Sequence, residues 1–214
     1  MNNIYIADAV KKVQQLHNHV LAAPNVILQL SQIAQNLKEQ HEQGNEAVCV
    51  QLSNWHPQLI AKDNATILNH PLTLDESRLT IAREHGFQSW EEAEELGNKE
   101  FDIAFENTID LLLNGEFENL KLAIENDERL LHRKSVYGHE CTLLHYAGSN
   151  GVETRRQQVP LNLVEMVNYL IEKGADKEAK AKLYGGLQTT LALASTSAHP
   201  ADAGIMDDLV EALS

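Results

Sequence analysis

Cys141 and His145 are a pair of residues whose types could support a reaction. A cysteine becomes a nucleophile when a nearby base removes its proton, and histidine is the usual base. Both lie in the stretch "CTLLHYA", in which Thr142 suits the N-cap of a helix and places His145 one turn inside it. Cys141 then precedes the helix in a turn, so this spacing aligns nucleophile and base poorly. The sequence therefore favours structural roles for Thr142 and His145.

Other histidine-containing stretches suggest a nuclease or a metal site but lack the required pattern. The "HNH" stretch begins at His17 within a helical pattern, where alternate side chains face apart. His139 with Cys141, and His41 with Glu42, have no second ligand pair at zinc spacing. The sequence contains no HExxH, phosphate-binding loop, GxSxG or GxGxxG motif. We therefore expect no catalytic residue, no metal and no cofactor.

Two adjacent arginines, Arg155 and Arg156, lie in an insertion of residues 152–163 between two helical patterns. A guanidinium group suits a carboxylate or phosphate because it donates two parallel hydrogen bonds. We expect the insertion to project as a finger that contacts a partner, with an ordinary solvated loop as the alternative.

The composition restricts the kinds of partner. The 214 residues carry 31 acidic side chains against 17 basic ones, for a formal net charge of −14. This excess repels phosphate backbones and offers no basic run to an anionic membrane, so neither nucleic acid nor a membrane is expected as a partner. Two cysteines make no disulfide framework, and no signal peptide or membrane span is apparent. These features predict a cytoplasmic protein.

Apolar spacing and capping signals predict an all-α protein in two parts. Residues 1–97 are predicted to form an N-terminal α-helical domain. Within it, Thr73 with Glu76 and Ser89 with Glu92 have the spacing of capping boxes at helix starts.

Residues 98–214 contain an internal repeat of a turn, a helix, a long loop and a second helix. The stretch "YGHECTLLHYA", which begins at Tyr137, shares Tyr, Gly, Thr, Leu and Ala with "YGGLQTTLALA", which begins at Tyr184. Downstream, "PLNLVEMVNYL" corresponds to "AGIMDDLVEAL". Repeats of one supersecondary unit stack into solenoids.

These repeats resemble ankyrin repeats. "TLLHYA" is similar to the Thr-Pro-Leu-His-x-Ala signature, with Leu143 in place of proline, and "VNYLIEKGADKEA" resembles the phrase that ends in Gly-Ala-Asp. The last unit keeps Thr189 but has Ala192 where the histidine would be. Together with "AREHGFQSWEE" and "NGVETRRQQVP", these motifs make most of the chain similar to small bacterial ankyrin-repeat proteins with an N-terminal helical domain.

The resemblance implies a short ankyrin-repeat solenoid with long inter-helix loops, in about three repeats: 101–133, 134–180 and 181–214. It implies structural roles for the turn and cap residues Thr142, His145, Gly151, Gly174 and Thr189. We expect a non-catalytic module that binds a protein partner through its loop tips and inserted finger, using Tyr137, His139, Arg155, Arg156, Tyr184 and His199. The alternatives are a small-molecule binder or enzyme that uses the same His, Tyr and Arg surface, and an antitoxin-like protein whose acidity is the binding feature.

The last predicted helix, "IMDDLVEAL", is amphipathic and has no following repeat to cover it. An uncovered apolar face marks an interface. The sequence therefore predicts a homodimer through the C-terminal repeat.

Overall fold

The computed structural model describes residues 3–214. Within them are thirteen α-helices, two short 3-10 helices and four strands of three residues each. The prediction of a mostly helical protein is confirmed. None of the described helices combines the length and apolar character needed to cross a membrane.

The chain divides into two compact units. The N-terminal unit comprises Asp8–Phe101 and Val136–Gly138, and the C-terminal unit comprises Asp102–Ser135, His139–Ser214 and the described residues up to Ala7. These units are therefore not continuous stretches of chain, unlike the two domains that the sequence predicts.

Six helices form the N-terminal unit: α1 (Asp8–Leu16), α2 (Val26–Glu42), α3 (Val48–Trp55), α4 (Asn64–Asn69), α5 (Leu74–Glu84) and α6 (Trp90–Leu96). The Thr73 side chain accepts the backbone N–H of Glu76, and the Glu76 carboxylate accepts that of Thr73. This confirms the predicted capping box, which satisfies two donors that the start of α5 would leave without partners. Ser89 likewise accepts the N–H of Glu92 at the start of α6.

The C-terminal unit contains the other seven α-helices: α7 (Ile103–Leu113), α8 (Phe117–Asn126), α9 (Leu143–Ala147), α10 (Leu163–Glu172), α11 (Thr190–Thr196), α12 (Ala198–Asp202) and α13 (Met206–Leu213). Its 3-10 helices are Glu128–Leu131 and Thr154–Arg156. Two antiparallel pairs complete it: β1 (Ile4–Ile6) with β2 (Gln158–Pro160), and β3 (Ala181–Leu183) with β4 (Gly186–Gln188).

The inserted segment 152–163 is held against this unit and does not project as predicted. Strand β2 lies within it and pairs with β1, so that Val159 lies opposite Tyr5. Val152 and Val159 belong to the core, and only a minority of the segment's side chains are exposed. The prediction of a projecting finger is therefore wrong, because strand pairing and apolar burial fix the segment.

The last helix also differs from the expectation. Leu209 and Leu213 are buried, and α13 packs against α10 and α11. The other apolar side chains of this helix region are partly buried: Ile205, Met206 and Val210. No large exposed apolar face remains on α13, so the reason for predicting a homodimer is lost, although the dimer itself stays an untested prediction.

Candidate functional site

The residues of "TLLHYA" form a hydrogen-bonded start to helix α9. The Nδ1 atom of His145 accepts the backbone N–H of Thr142 at 3.1 Å and lies 2.8 Å from the Thr142 hydroxyl. Its Nε2 donates to the backbone carbonyl of Gln188 at 3.2 Å. Burial lowers the pKa of His145 to about 4, against the smaller opposing effect of the Gln188 carbonyl. The ring is therefore neutral at physiological pH and serves as a structural link.

Cys141 offers no accessible nucleophile. Its side chain is fully buried. Its backbone N–H donates to Nδ1 of His139 at 3.1 Å, which leaves the proton of a neutral His139 on Nε2. That Nε2 faces the carboxylate of Glu153 at 3.6 Å. The arrangement places Cys, His and Glu together in the interior, where no substrate can reach the sulfur in this conformation.

Arg156 is the centre of a buried charge network. Its guanidinium donates to Glu106 at 2.7 Å, to Asp110 at 3.1 Å and to Glu153 at 3.4 Å. Burial raises the pKa of Glu106, while the Arg156 charge opposes that rise. The hydroxyl of Tyr146 also donates to Glu153, at 3.4 Å. The Arg156 guanidinium, which the sequence predicts to contact a partner, thus binds three carboxylates of the same chain.

Three of the six predicted partner-binding residues are therefore inside the protein. Arg156 and His139 belong to the buried network, and Tyr137 is buried in the N-terminal unit, where its ring packs against His85 and Phe101. Their assignment as surface contacts is wrong for this conformation. Two of the three acidic partners of Arg156, Glu106 and Asp110, lie on α7 and are distant in the sequence, so the residues around Arg156 do not indicate its burial.

The exposed members of the predicted set are Arg155, Tyr184 and, in part, His199. Tyr184 and Gly185 connect β3 to β4, with positive φ values of 53° and 74° as in a type I′ turn. The Tyr184 hydroxyl donates to Asn150 at 2.5 Å. His199 contacts a different residue: its Nε2 is 3.3 Å from the amide oxygen of Gln157. Burial lowers the pKa of His199.

We define the hairpin surface as Asn150, Tyr184, Leu187 and Thr196. The Asn150 amide donates to the Thr196 hydroxyl at 3.2 Å, so one chain of hydrogen bonds runs from Tyr184 to α11. Leu187 is 62% exposed and Tyr184 is 59% exposed. Both side chains are exposed enough to contact another protein.

The predicted turn and cap residues have matching local geometry. Gly151 has φ +75°, a left-handed conformation that favours glycine, and an added Cβ would lie in tight contact, 3.0 Å, with the Leu183 side chain. Gly174 has φ +99° just after α10, as expected of a residue that ends a helix. Thr189 accepts the N–H of Ala192 at 3.3 Å and caps α11.

A cluster in the N-terminal unit was not anticipated from the sequence. His56, His70 and Glu76 bring three potential metal-ligand atoms within 4.8 Å of one another. Their spacing fits none of the zinc patterns considered in the sequence. The available signal was weak, because His-Pro occurs at residues 56–57 and 70–71 but also at 199–200, outside the cluster.

Comparison with protein-family models, with curated proteins and with solved structures found no match. The resemblance to ankyrin repeats therefore depends on the motif residues of this chain. Its function has to be inferred from its own geometry.

Proposed function

We propose that this chain is a non-catalytic, ankyrin-type module that binds a protein partner through the hairpin surface. The observation that carries the proposal is the exposed aromatic side chain of Tyr184 on a residue with φ 53°. Residues other than glycine, asparagine and aspartate seldom adopt this left-handed conformation, which costs roughly 1 kcal/mol or more. Asn-Gly is the favoured sequence for such a turn, whereas this chain has Tyr-Gly.

A costly local conformation at an exposed position suggests a role for the side chain itself. Tyrosine combines a large apolar ring with a hydroxyl and is enriched among residues that dominate binding energy. Leu187 on the adjacent strand adds apolar area. Together they supply the kind of anchor that a protein partner needs.

Hydrogen bonds and an ion pair also hold the hairpin against the rest of its unit. The Lys182 N–H donates to the His139 carbonyl at 2.8 Å, and the Lys182 side chain forms an ion pair with Glu140. The Gln188 carbonyl at its other end accepts from His145. A surface that is already ordered loses less conformational entropy on binding. This favours a docking surface over a loop that folds on contact.

The ankyrin part of the proposal is supported by the two equivalent turns. Thr142 and Thr189 each precede a short helix, and His145 of the first turn bonds to the backbone just before the second. Such bonds join neighbouring units of a stack, in which stability depends on neighbours. The net charge of −14 further favours a neutral or basic partner over an anionic one.

The test is affinity capture from a lysate of the native cell, with the bound proteins quantified by mass spectrometry. Tyr184→Asn keeps a residue suited to the turn, and Leu187→Ser removes the apolar group. We expect each to reduce capture of the specific partner by about tenfold or more, as for a residue central to an interface.

The matched control is Leu122→Ser, since Leu122 on α8 is 57% exposed in the same unit. It should leave capture unchanged. Equal capture by all three variants and the unmodified chain would contradict the proposal.

A further inference from the structure

Two His-Pro dipeptides end neighbouring helices in the same way. His56 follows α3 with φ −76° and ψ 123°, and His70 follows α4 with φ −70° and ψ 131°. A residue before proline is held in this extended region because the proline ring clashes with the helical conformation. The two dipeptides therefore stop their helices and fix both histidine backbones in similar conformations.

Both imidazoles face the same carboxylate oxygen of Glu76, in the first turn of α5. The His70 Nε2 atom is 3.1 Å from Glu76 Oε1, and the His56 Nε2 atom is 3.7 Å from it. Zinc bonds of about 2.0–2.1 Å place two ligands of a tetrahedral site roughly 3.3 Å apart. The two His–Glu separations are therefore close to those of a ligand set, and all three ligand atoms lie within 4.8 Å of one another.

The other oxygen of Glu76 is fixed by the capping box. Oε2 accepts the Thr73 backbone N–H at 2.8 Å and the Thr73 hydroxyl at 2.9 Å. Such supporting bonds orient the carboxylate and leave Oε1 for the histidines. The helix cap thus acts as a support for a ligand group.

The buried nitrogen of His56 is the second, independent observation. The His56 side chain is 2% exposed, and its Nε2 has no hydrogen-bond partner although it is aimed at Glu76 and His70. A buried polar atom without a partner costs free energy, so native proteins rarely contain one without a reason. A bound cation would satisfy this nitrogen once its proton has moved to Nδ1.

We propose that His56, His70 and Glu76 form a binding site for a divalent first-row transition metal ion of the zinc type. Two imidazoles and one carboxylate suit zinc and its neighbours, whereas calcium and magnesium favour oxygen ligands alone. Three protein ligands leave a fourth position for water or an external ligand. His70 and Glu76 are 20% and 28% exposed, so the ion can enter from their side.

Binding moves one proton within each histidine ring. The Nε2 of His70 donates to Glu76 Oε1 at 3.1 Å, so its proton has to shift to Nδ1 before that nitrogen can bind the metal. The same shift is needed in His56. Its Nδ1 accepts the Gln58 backbone N–H at 3.2 Å, which puts the proton of the neutral ring on Nε2. When Nε2 donates its lone pair to the metal, that proton shifts to Nδ1 and the bond from Gln58 is given up. The hydrogen bonds from Gln58 to His56 and from His70 to Glu76 are exchanged for two metal–nitrogen bonds, and no proton needs to leave the chain.

Calorimetric titration of the full, chelator-treated chain with Zn²⁺ tests the site, with Co²⁺ absorption as a spectroscopic readout of the ligands. We expect one equivalent to bind. His70→Ala and Glu76→Gln should each weaken Zn²⁺ binding by at least tenfold, the scale of losses even for supporting residues. Glu76→Gln is informative because glutamine also forms the capping box, so the helix start is retained.

The control is His132→Ala, because His132 is exposed and lies in the C-terminal unit. This variant should bind Zn²⁺ like the unmodified chain. Absence of stoichiometric binding, or binding that survives in both His70→Ala and Glu76→Gln, would overturn the proposal. Loss of binding in His132→Ala alone would also overturn it, since the ion would then occupy surface histidines.

Discussion

His145 and Gln188 are joined by a hydrogen bond from the ring Nε2 to the backbone carbonyl, at 3.2 Å and across 43 positions of the sequence. The other ring nitrogen accepts the N–H of Thr142. A neutral ring with one donor and one acceptor satisfies both contacts, whereas a protonated ring has no acceptor. The link between the two turns therefore depends on the charge state of this side chain.

The stability of the chain should consequently fall in mild acid through His145. Its pKa is about 4 in the folded chain against an ordinary value of 6.5, so the unfolded chain takes up the proton first as the pH falls. The stabilisation that comes from keeping His145 neutral in the folded chain is fully present above about pH 6.5 and is lost as the pH falls toward 4. Between pH 7.5 and pH 5 this shift corresponds to a loss of about 2 kcal/mol.

Urea denaturation at both pH values, for the unmodified chain and for His145→Gln, measures this loss. Glutamine at this position still suits a capping box but does not titrate. We expect the free energy of unfolding to fall by about 2 kcal/mol less in the variant than in the unmodified chain between pH 7.5 and pH 5. The other histidines contribute equally to both proteins. Identical pH sensitivity would show that His145 is not held neutral.

The adjacent arginines should respond very differently to truncation. Arg156→Ala leaves the buried carboxylate of Glu153 and the largely buried one of Glu106 without this cation, so it should destabilise the chain by about 3 kcal/mol or more. Arg155 is exposed, and Arg155→Ala should change stability by only about 0.5 kcal/mol. Chemical denaturation of both variants checks this. Similar losses of stability in both would contradict the assignment of Arg156 to a buried network.

The two glycines of the hairpin provide a test of its turn. Gly185 has φ +74° and open space around it, so Gly185→Ala should cost about 1 kcal/mol through backbone strain alone. Gly186 has no positive φ, and an added Cβ would make ordinary contact with the Gln188 side chain at 3.4 Å. Gly186→Ala should therefore be neutral or slightly stabilising. Thermal melting distinguishes the two, and equal destabilisation would argue against the type I′ turn.

Local patterns predicted much of the helical structure because capping and apolar spacing act over a few residues. The Thr73–Glu76 capping box is confirmed, and Val10, Val13 and Leu16 of α1 are buried at helical spacing. These features follow from neighbouring residues alone.

The sites were harder to predict because they join residues that are distant in the sequence. Arg156 is paired with Glu106 and Asp110 on α7, and adjacent arginines in a polar stretch do not indicate this pairing. The His56–His70–Glu76 cluster depends on how three helices end or begin. Tyrosine seldom adopts the left-handed conformation that Tyr184 has, so only Gly185 could indicate the turn from the sequence.

The central claim is that the hairpin surface contacts a protein partner, and site-specific photo-crosslinking in the native cell tests it most directly. A photoreactive phenylalanine analogue would replace Leu187 in one variant and Leu122 in the other, both exposed leucines of the C-terminal unit. The account predicts a discrete crosslinked protein at position 187 and none at position 122. Crosslinks to the same protein at position 122 but not at position 187 would contradict it.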